Sequence, residues 1–122
     1  MDPVTEPDVR VRRVYEPPSA DDGTRVLVDR LWPRGLSKEA ARVDAWPKDL
    51  TPSTELRRWY HASAGDFEEF ARRYESELAA PEAAAALDGV RTLTEAGRIT
   101  LLTAAKDPDR SHTAVLRRLL LG

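Results

Sequence analysis

The chain contains no cysteine, which excludes disulfides, thiol nucleophiles and thiolate metal centres together. Histidine is nearly as scarce. His61 and His112 are the only two, too few for a histidine-based metal site without an unusual set of carboxylates. No apolar run approaches the roughly 18–20 residues that cross a bilayer, so no membrane span is expected. The opening MDPVTEPDVR is acidic and proline-broken instead of basic and then apolar, unlike a secretory signal. The cytoplasm is the expected compartment. Catalytic signatures are missing as well: there is no GxGxxG, no glycine-rich loop ending in GKS or GKT, no HExxH and no GxSxG. Ser111 and His112 are adjacent, but neighbours on a helix do not face each other, so they form no dyad. No metal and no cofactor is called for.

What is present is an uneven distribution of charge. The net charge of −2 conceals 11 Lys/Arg against 8 Asp/Glu over residues 9–60, and 3 against 8 over residues 61–96. The first part suits an anion; the second reads as solvated helix surface. Neither has the strongly basic balance of a dedicated nucleic-acid binder.

The segments follow from hydrophobic period and punctuation. Residues 1–8 read as a flexible lead-in, and residues 9–122 as a single domain. Val9–Tyr15 alternates apolar and basic residues, predicting a half-exposed strand closed by Pro17-Pro18. Asp22-Gly23 marks a turn into a second strand over 25–31, with Val26 and Val28 on one face. Ser37 caps a short helix over 38–43, and Thr51-Pro52 opens another. Phe67, Phe70, Ala71, Tyr74 and Leu78 recur at helical spacing after Asp66. Pro81 separates that helix from one over 82–96, ended by Gly97. ITLLTAA, 99–105, is an apolar strand buried on both faces. Ser111 caps a final helix with Val115, Leu116, Leu119 and Leu120 inward. Long helical stretches between apolar strands predict an α/β domain with a small, mainly parallel sheet of roughly three or four strands flanked by helices.

Two strand-to-loop transitions carry the polar residues that chemistry needs. If strands 25–31 and 99–105 are parallel neighbours at the sheet centre, both loops leave the same carboxyl edge, where open α/β sheets place ligands. Arg30, Arg34 and Lys38 from the first loop and Lys106 from the second would grip an anion, arginine bidentately. Ser111 opens a helix whose free N–H groups favour negative charge. Trp32 is expected to be half-buried beside loop 105–112, holding Arg34. Asp29, Asp107 and His112 are the candidates to handle protons. The alternative is a structural corner: Asp29 and Arg30 pin neighbouring loops, Trp32 fills core, Asp29 and Asp107 pair with the cations, Ser111 is only a cap, and Trp46 and Trp59 are core. His61 falls in a solvated loop over 61–65.

VRRVYEPP, DGTRVLVDRLWPRGLSKEAARVDAW, LTPSTELRRWY, FEEFARRYESEL and ITLLTAAKDPDRSHTAVL, in this order, resemble the YeaO-like family, known as domain of unknown function 488. DRLWPRG is the most specific of these segments. The resemblance spans residues 9–121 and implies a small α/β domain with no established reaction. Its pattern falls on Asp29, Arg30, Trp32, Pro33, Arg34, Gly35, Lys38, Trp46, Ser53, Arg57, Asp107 and His112. Some distant relatives carry a cysteine near the end of the strand matching 99–105; Leu102-Thr103-Ala104-Ala105 carries none here, so no thiol mechanism transfers. Thr103 stands where the pattern favours an aromatic residue, and Ser111 where it favours asparagine. The leading expectation is a site for a small phosphate- or nucleotide-like anion. The alternative is nucleic-acid or regulatory binding through Arg10, Arg12 and Arg13, with Trp32 stacking. Neither a reaction nor an oligomeric state follows from these residues.

Overall fold

The structure is a computed structural model that describes residues 7–62 and 66–122. Most of the expected lead-in therefore lies outside the described residues, as do the last three residues of the expected loop 61–65.

Strand β1 is Val9–Arg13, β2 is Thr24–Leu27 and β3 is Ile99–Thr103. They form one parallel sheet in the order β1-β3-β2, with Val9 and Thr24 both opposite Ile99. The most apolar strand lies in the middle, because only a central strand must bury both faces; all five residues of β3 are buried. The parallel pairing of the second and last strands is as expected, but the second strand is not central. Its outer edge is closed by irregular chain, where Leu27 N donates to Ala45 O at 2.9 Å and Asp44 N and Ala45 N donate to Arg25 O at 2.8 and 3.1 Å. Both strands also end earlier than their apolar runs. Val28 N still donates to Leu102 O at 3.1 Å, after which the Asp29 side chain, not its backbone, carries the connection to β3.

Helices α1 (Lys38–Ala41), α2 (Thr54–Ala62), α3 (Phe67–Leu78), α4 (Pro81–Ala96) and α5 (His112–Leu121) flank the sheet. Helix α1 stops short of Val43 because Arg42 turns left-handed at φ 49°. Helix α2 starts later than Thr51-Pro52 predicts, because Ser53 is the residue that becomes fixed. The α3 carboxylate Glu77 accepts from Ser53 N at 2.8 Å and from its Oγ at 2.6 Å, and Ser53 Oγ caps Leu56 N at 3.1 Å. His61, expected in a loop, is in the last turn of α2.

Alternation along the strands sorts the core into two layers. Val26, Val28, Ile99 and Leu101 face the cluster built by α2–α5, with Phe70, Tyr74, Val115 and Leu116. Leu27, Leu102 and Val14 face the other way, under Trp32, Leu36, Val43 and Trp46. A tight corner fixes where β2 begins. Gly23 has φ +65°, and a Cβ there would lie 2.0 Å from Arg98 O. The corner also encloses a buried ion pair: Asp22 is 1% and Arg25 4% exposed, with Arg25 Nη1 2.5 Å from Asp22 Oδ2. The rest of the Arg25 guanidinium donates to Ala41 O at 3.1 and 2.8 Å, tying β2 to α1. No helix among the described residues is long and apolar enough to cross a membrane.

Candidate functional site

Because β2 and β3 run parallel, the chain leaves both at one edge, and Asp29 joins the two exits. Its Oδ1 accepts from Thr103 Oγ1 at 2.7 Å and its Oδ2 from Ala104 N at 2.7 Å. Oδ1 also lies 3.0 Å from His112 Nε2. Desolvation by burial works to raise the Asp29 carboxyl, but the bonds from His112, Ala104 and Thr103 outweigh it and hold it below the usual carboxylate range.

The same contacts assign the histidine tautomer. His112 Nε2 is 3.0 Å from Val28 O and 3.0 Å from Asp29 Oδ1. Both neighbours are acceptors, so Nε2 must carry a hydrogen in every protonation state. The ring is steadied by an edge contact with Tyr74, centroids 6.4 Å apart. Among the described residues Nδ1 has no bonding partner and is not sealed from solvent. It is the nitrogen that His112 offers to a ligand.

His112 and Asp29 belong to the lining of a cavity of about 430 Å³ between this sheet edge, the loop after β2 and helix α2. That is the size range of small-molecule sites. Arg30, Trp32, Arg34 and Ser111, all expected from the sequence, also line it. Lys38, Lys106 and Asp107 do not: Lys38 is the exposed first residue of α1, and Lys106 and Asp107 are exposed on the loop beyond Ala105. Ser111 Oγ accepts from Thr113 N at 3.2 Å, and it is bonded to Pro108 O at 2.9 Å and Thr113 Oγ1 at 2.6 Å. It serves as a helix cap.

Trp32 is half-buried, as expected, and shares the cavity lining with Ala105, Ser111 and His112. It meets Trp46 edge to face at 5.5 Å and packs against the cluster of Val14, Leu27 and Leu102, and its indole N–H donates to Leu36 O at 2.6 Å. Trp46 Nε1 in turn donates to Asp29 O at 2.7 Å. Arg34 is positioned through its backbone, where its carbonyl accepts from Tyr15 OH at 3.1 Å. Arg30 bonds Thr54 Oγ1 at the start of α2.

Helix α2 supplies lining residues not expected as ligand contacts: Tyr60, His61 and Arg57, the last of which the family pattern does include. Arg57 and His61 are four apart, hence on one face of a helix, and that spacing is the signal that would have found them. Tyr60 stacks on Phe70 at 4.4 Å, and its hydroxyl donates to Arg110 O at 2.8 Å, holding α2 against the loop before α5. The cavity lining thus combines three exposed arginines with aromatic and apolar surface. Its carboxylate, Asp29, is occupied by three donors. Among the described residues no carboxylate bonds to Arg30, Arg34 or Arg57, and no group of three or more His, Asp or Glu is placed to hold a metal ion.

Comparison with known proteins matches residues 8–122 to a family described as the inactive DUF488-N3 subclade. An uncharacterised protein of Mycobacterium tuberculosis is 51% identical over 119 residues, 98% of each chain. One of Mycobacterium bovis matches to the same extent. The uncharacterised protein YeaO of Escherichia coli is 41% identical over 111 residues, 89% of this chain and 93% of its own. No solved structure matches.

Proposed function

We infer a role for this chain from the premise that it belongs to the DUF488 family, within the subclade described as inactive: it binds a small organic anion, phosphate- or nucleotide-like, without turning it over. The observation that carries this reading is the charge balance of the pocket. Arg30, Arg34 and Arg57 share one lining with a carboxylate whose oxygens already accept from Thr103, Ala104 and His112. Cations gathered without a free counter-charge repel one another, and an anionic ligand relieves that repulsion. The aromatic and apolar lining calls for an organic body attached to the charge. Asp29 is too fully bonded to act as a mobile base, and the description of the subclade as inactive favours binding over turnover.

Nucleic-acid binding through the basic first strand has less support. Arg12 is engaged by Glu16 at 2.8 Å and Asp22 at 3.2 Å. Arg13 donates to Ala105 O at 3.1 Å and lies over the Tyr15 ring. Arg12 and Arg13 are thus consumed within the fold, which leaves Arg10 as the exposed cation of that strand.

Isothermal calorimetry with phosphate, pyrophosphate and adenosine monophosphate tests the pocket. The mononucleotide should bind below millimolar concentration and more tightly than phosphate. Arg34→Ala and Arg57→Ala should each weaken it about tenfold, the worth of one charge-assisted hydrogen bond. An absence of binding heat from all three ligands at millimolar concentration would contradict the reading. Binding indifferent to both substitutions would place it elsewhere on the protein.

A further inference from the structure

Resting on the pocket reading above, we propose that His112 makes the site selective for a terminal phosphate group, a dianion, over phosphodiesters and carboxylates, by taking up one proton as the ligand binds. The geometry supplies the parts. Nε2–H is committed inward to Val28 O and Asp29 Oδ1, each at 3.0 Å, so only Nδ1 can change its protonation on the pocket side. Asp29 stays ionised beneath the ring, held by Thr103 and Ala104 at 2.7 Å each. An imidazolium over that carboxylate forms the chain Asp29 carboxylate, Nε2–H, ring, Nδ1–H, phosphate oxygen. Each link joins a donor to an acceptor, and the positive ring lies between two negative groups. With a neutral ring, Nδ1 would aim a lone pair at the ligand, which repels an unprotonated phosphate oxygen.

The arginines do not discriminate in this way, because a guanidinium grips a carboxylate, a diester or a terminal phosphate alike. The second negative charge of a terminal phosphate rewards a further cation, and an imidazole is the side chain that gains one near neutral pH. The other titratable and charged groups sharing the lining or touching the ring are Arg30 and Arg34 from the loop after β2, Tyr15, Arg57, Tyr60 and His61 on α2, and Tyr74 on α3. Among these side chains His61 is the second imidazole, and its role is separable by substitution.

The experiment compares phenyl phosphate with methyl phenyl phosphate and benzoate, which carry the same flat ring on a dianion, a diester monoanion and a carboxylate. Calorimetry on the full chain in two buffers of different ionisation enthalpy reads proton uptake directly. At pH 7.5 to 8.5 the terminal phosphate is already a dianion, since its second ionisation lies near pH 6. Phenyl phosphate should bind at least tenfold more tightly than the other two at pH 7.5, with uptake of close to one proton. Its affinity should fall as the pH is raised to 8.5, as linkage to proton uptake requires; the diester's should stay flat. His112→Asn should abolish the uptake and bring the ligands' affinities together, whereas His61→Asn should leave the uptake in place.

Equal affinities without proton uptake in the wild type would overturn the proposal while leaving the pocket intact. That comparison needs no variant to fold. Uptake that survives His112→Asn and disappears in His61→Asn would assign the selectivity to α2 and overturn it too. Failure of all three ligands to bind at millimolar concentration would remove the pocket itself, and the proposal with it.

Discussion

Replacing Arg25 by methionine should lower folding stability by about 3–5 kcal/mol, measured as a shift of the urea unfolding midpoint at constant slope. The side chain is 4% exposed, and its removal strands two buried acceptors. Asp22 loses its partner at 2.5 Å, and Ala41 O loses donors at 3.1 and 2.8 Å. Asp22 keeps Ser19 N at 2.9 Å and Arg12 at 3.2 Å, which places the loss toward the lower end of that range. The double substitution Asp22→Leu with Arg25→Met should be less damaging than Arg25→Met alone, because it removes the charge that the single change leaves uncompensated. A double variant that loses the sum of the two single losses would mean the pair is not coupled. The pair also predicts acid sensitivity. Burial works to raise the Asp22 carboxyl, but Ser19 N, Arg12 and Arg25 bring it below its ordinary value. A carboxyl lowered in the folded state contributes stability that is complete above its unfolded pKa of about 3.9, and that is lost as pH falls through the folded value.

Asp29→Ala should cost about 2–4 kcal/mol and loosen the loops on both sides of the pocket. Asp29→Asn should recover little of that. All three partners of the side chain donate: Thr103 Oγ1 and Ala104 N at 2.7 Å and His112 Nε2–H at 3.0 Å. An amide offers one accepting oxygen and sets its NH₂ against a donor, so the usual isosteric replacement is a poor fit here. Denaturant unfolding of the two variants checks this. An asparagine variant as stable as wild type would show that the ionised form of Asp29 is not what joins β2 to β3. By the same sign argument as for Asp22 this contribution is complete above about pH 4 and is lost as pH falls through the lowered folded value of Asp29, so the gap between wild type and Asp29→Ala should narrow in acid.

The parallel neighbours and the shared edge were legible in the sequence because apolar runs report burial directly. ITLLT is buried on both faces and lies at the centre of the sheet. Such runs say less about where a strand stops. Asp29, Arg30 and Leu31 follow Val28 without a turn signal, and the end of β2 is set by Asp29 reaching Thr103 and Ala104, residues 74 and 75 positions away. The direction of loop side chains was not legible for the same reason. Lys38 and Lys106 have the right charge, but they sit outside the cavity, whereas Arg57 and His61 reach it because α2 is docked there by Tyr60. The Asp22–Arg25 pair was concealed by its brevity. Read as a turn and the start of a strand, the two residues show no pattern that distinguishes a buried pair from two solvated charges. Burial of Arg25 depends on Ala41, 16 residues on, presenting its carbonyl.

Adding adenosine monophosphate to isotope-labelled protein and following the backbone amides by NMR tests the pocket most directly. The account predicts saturating shifts confined to the amides of Leu31, Arg34, Ala104, Ala105 and His112 and to the α2 turn bearing Arg57 and His61. It is contradicted if no amide moves at millimolar ligand, or if the shifts gather instead around Arg10 of β1 and Arg117 of α5.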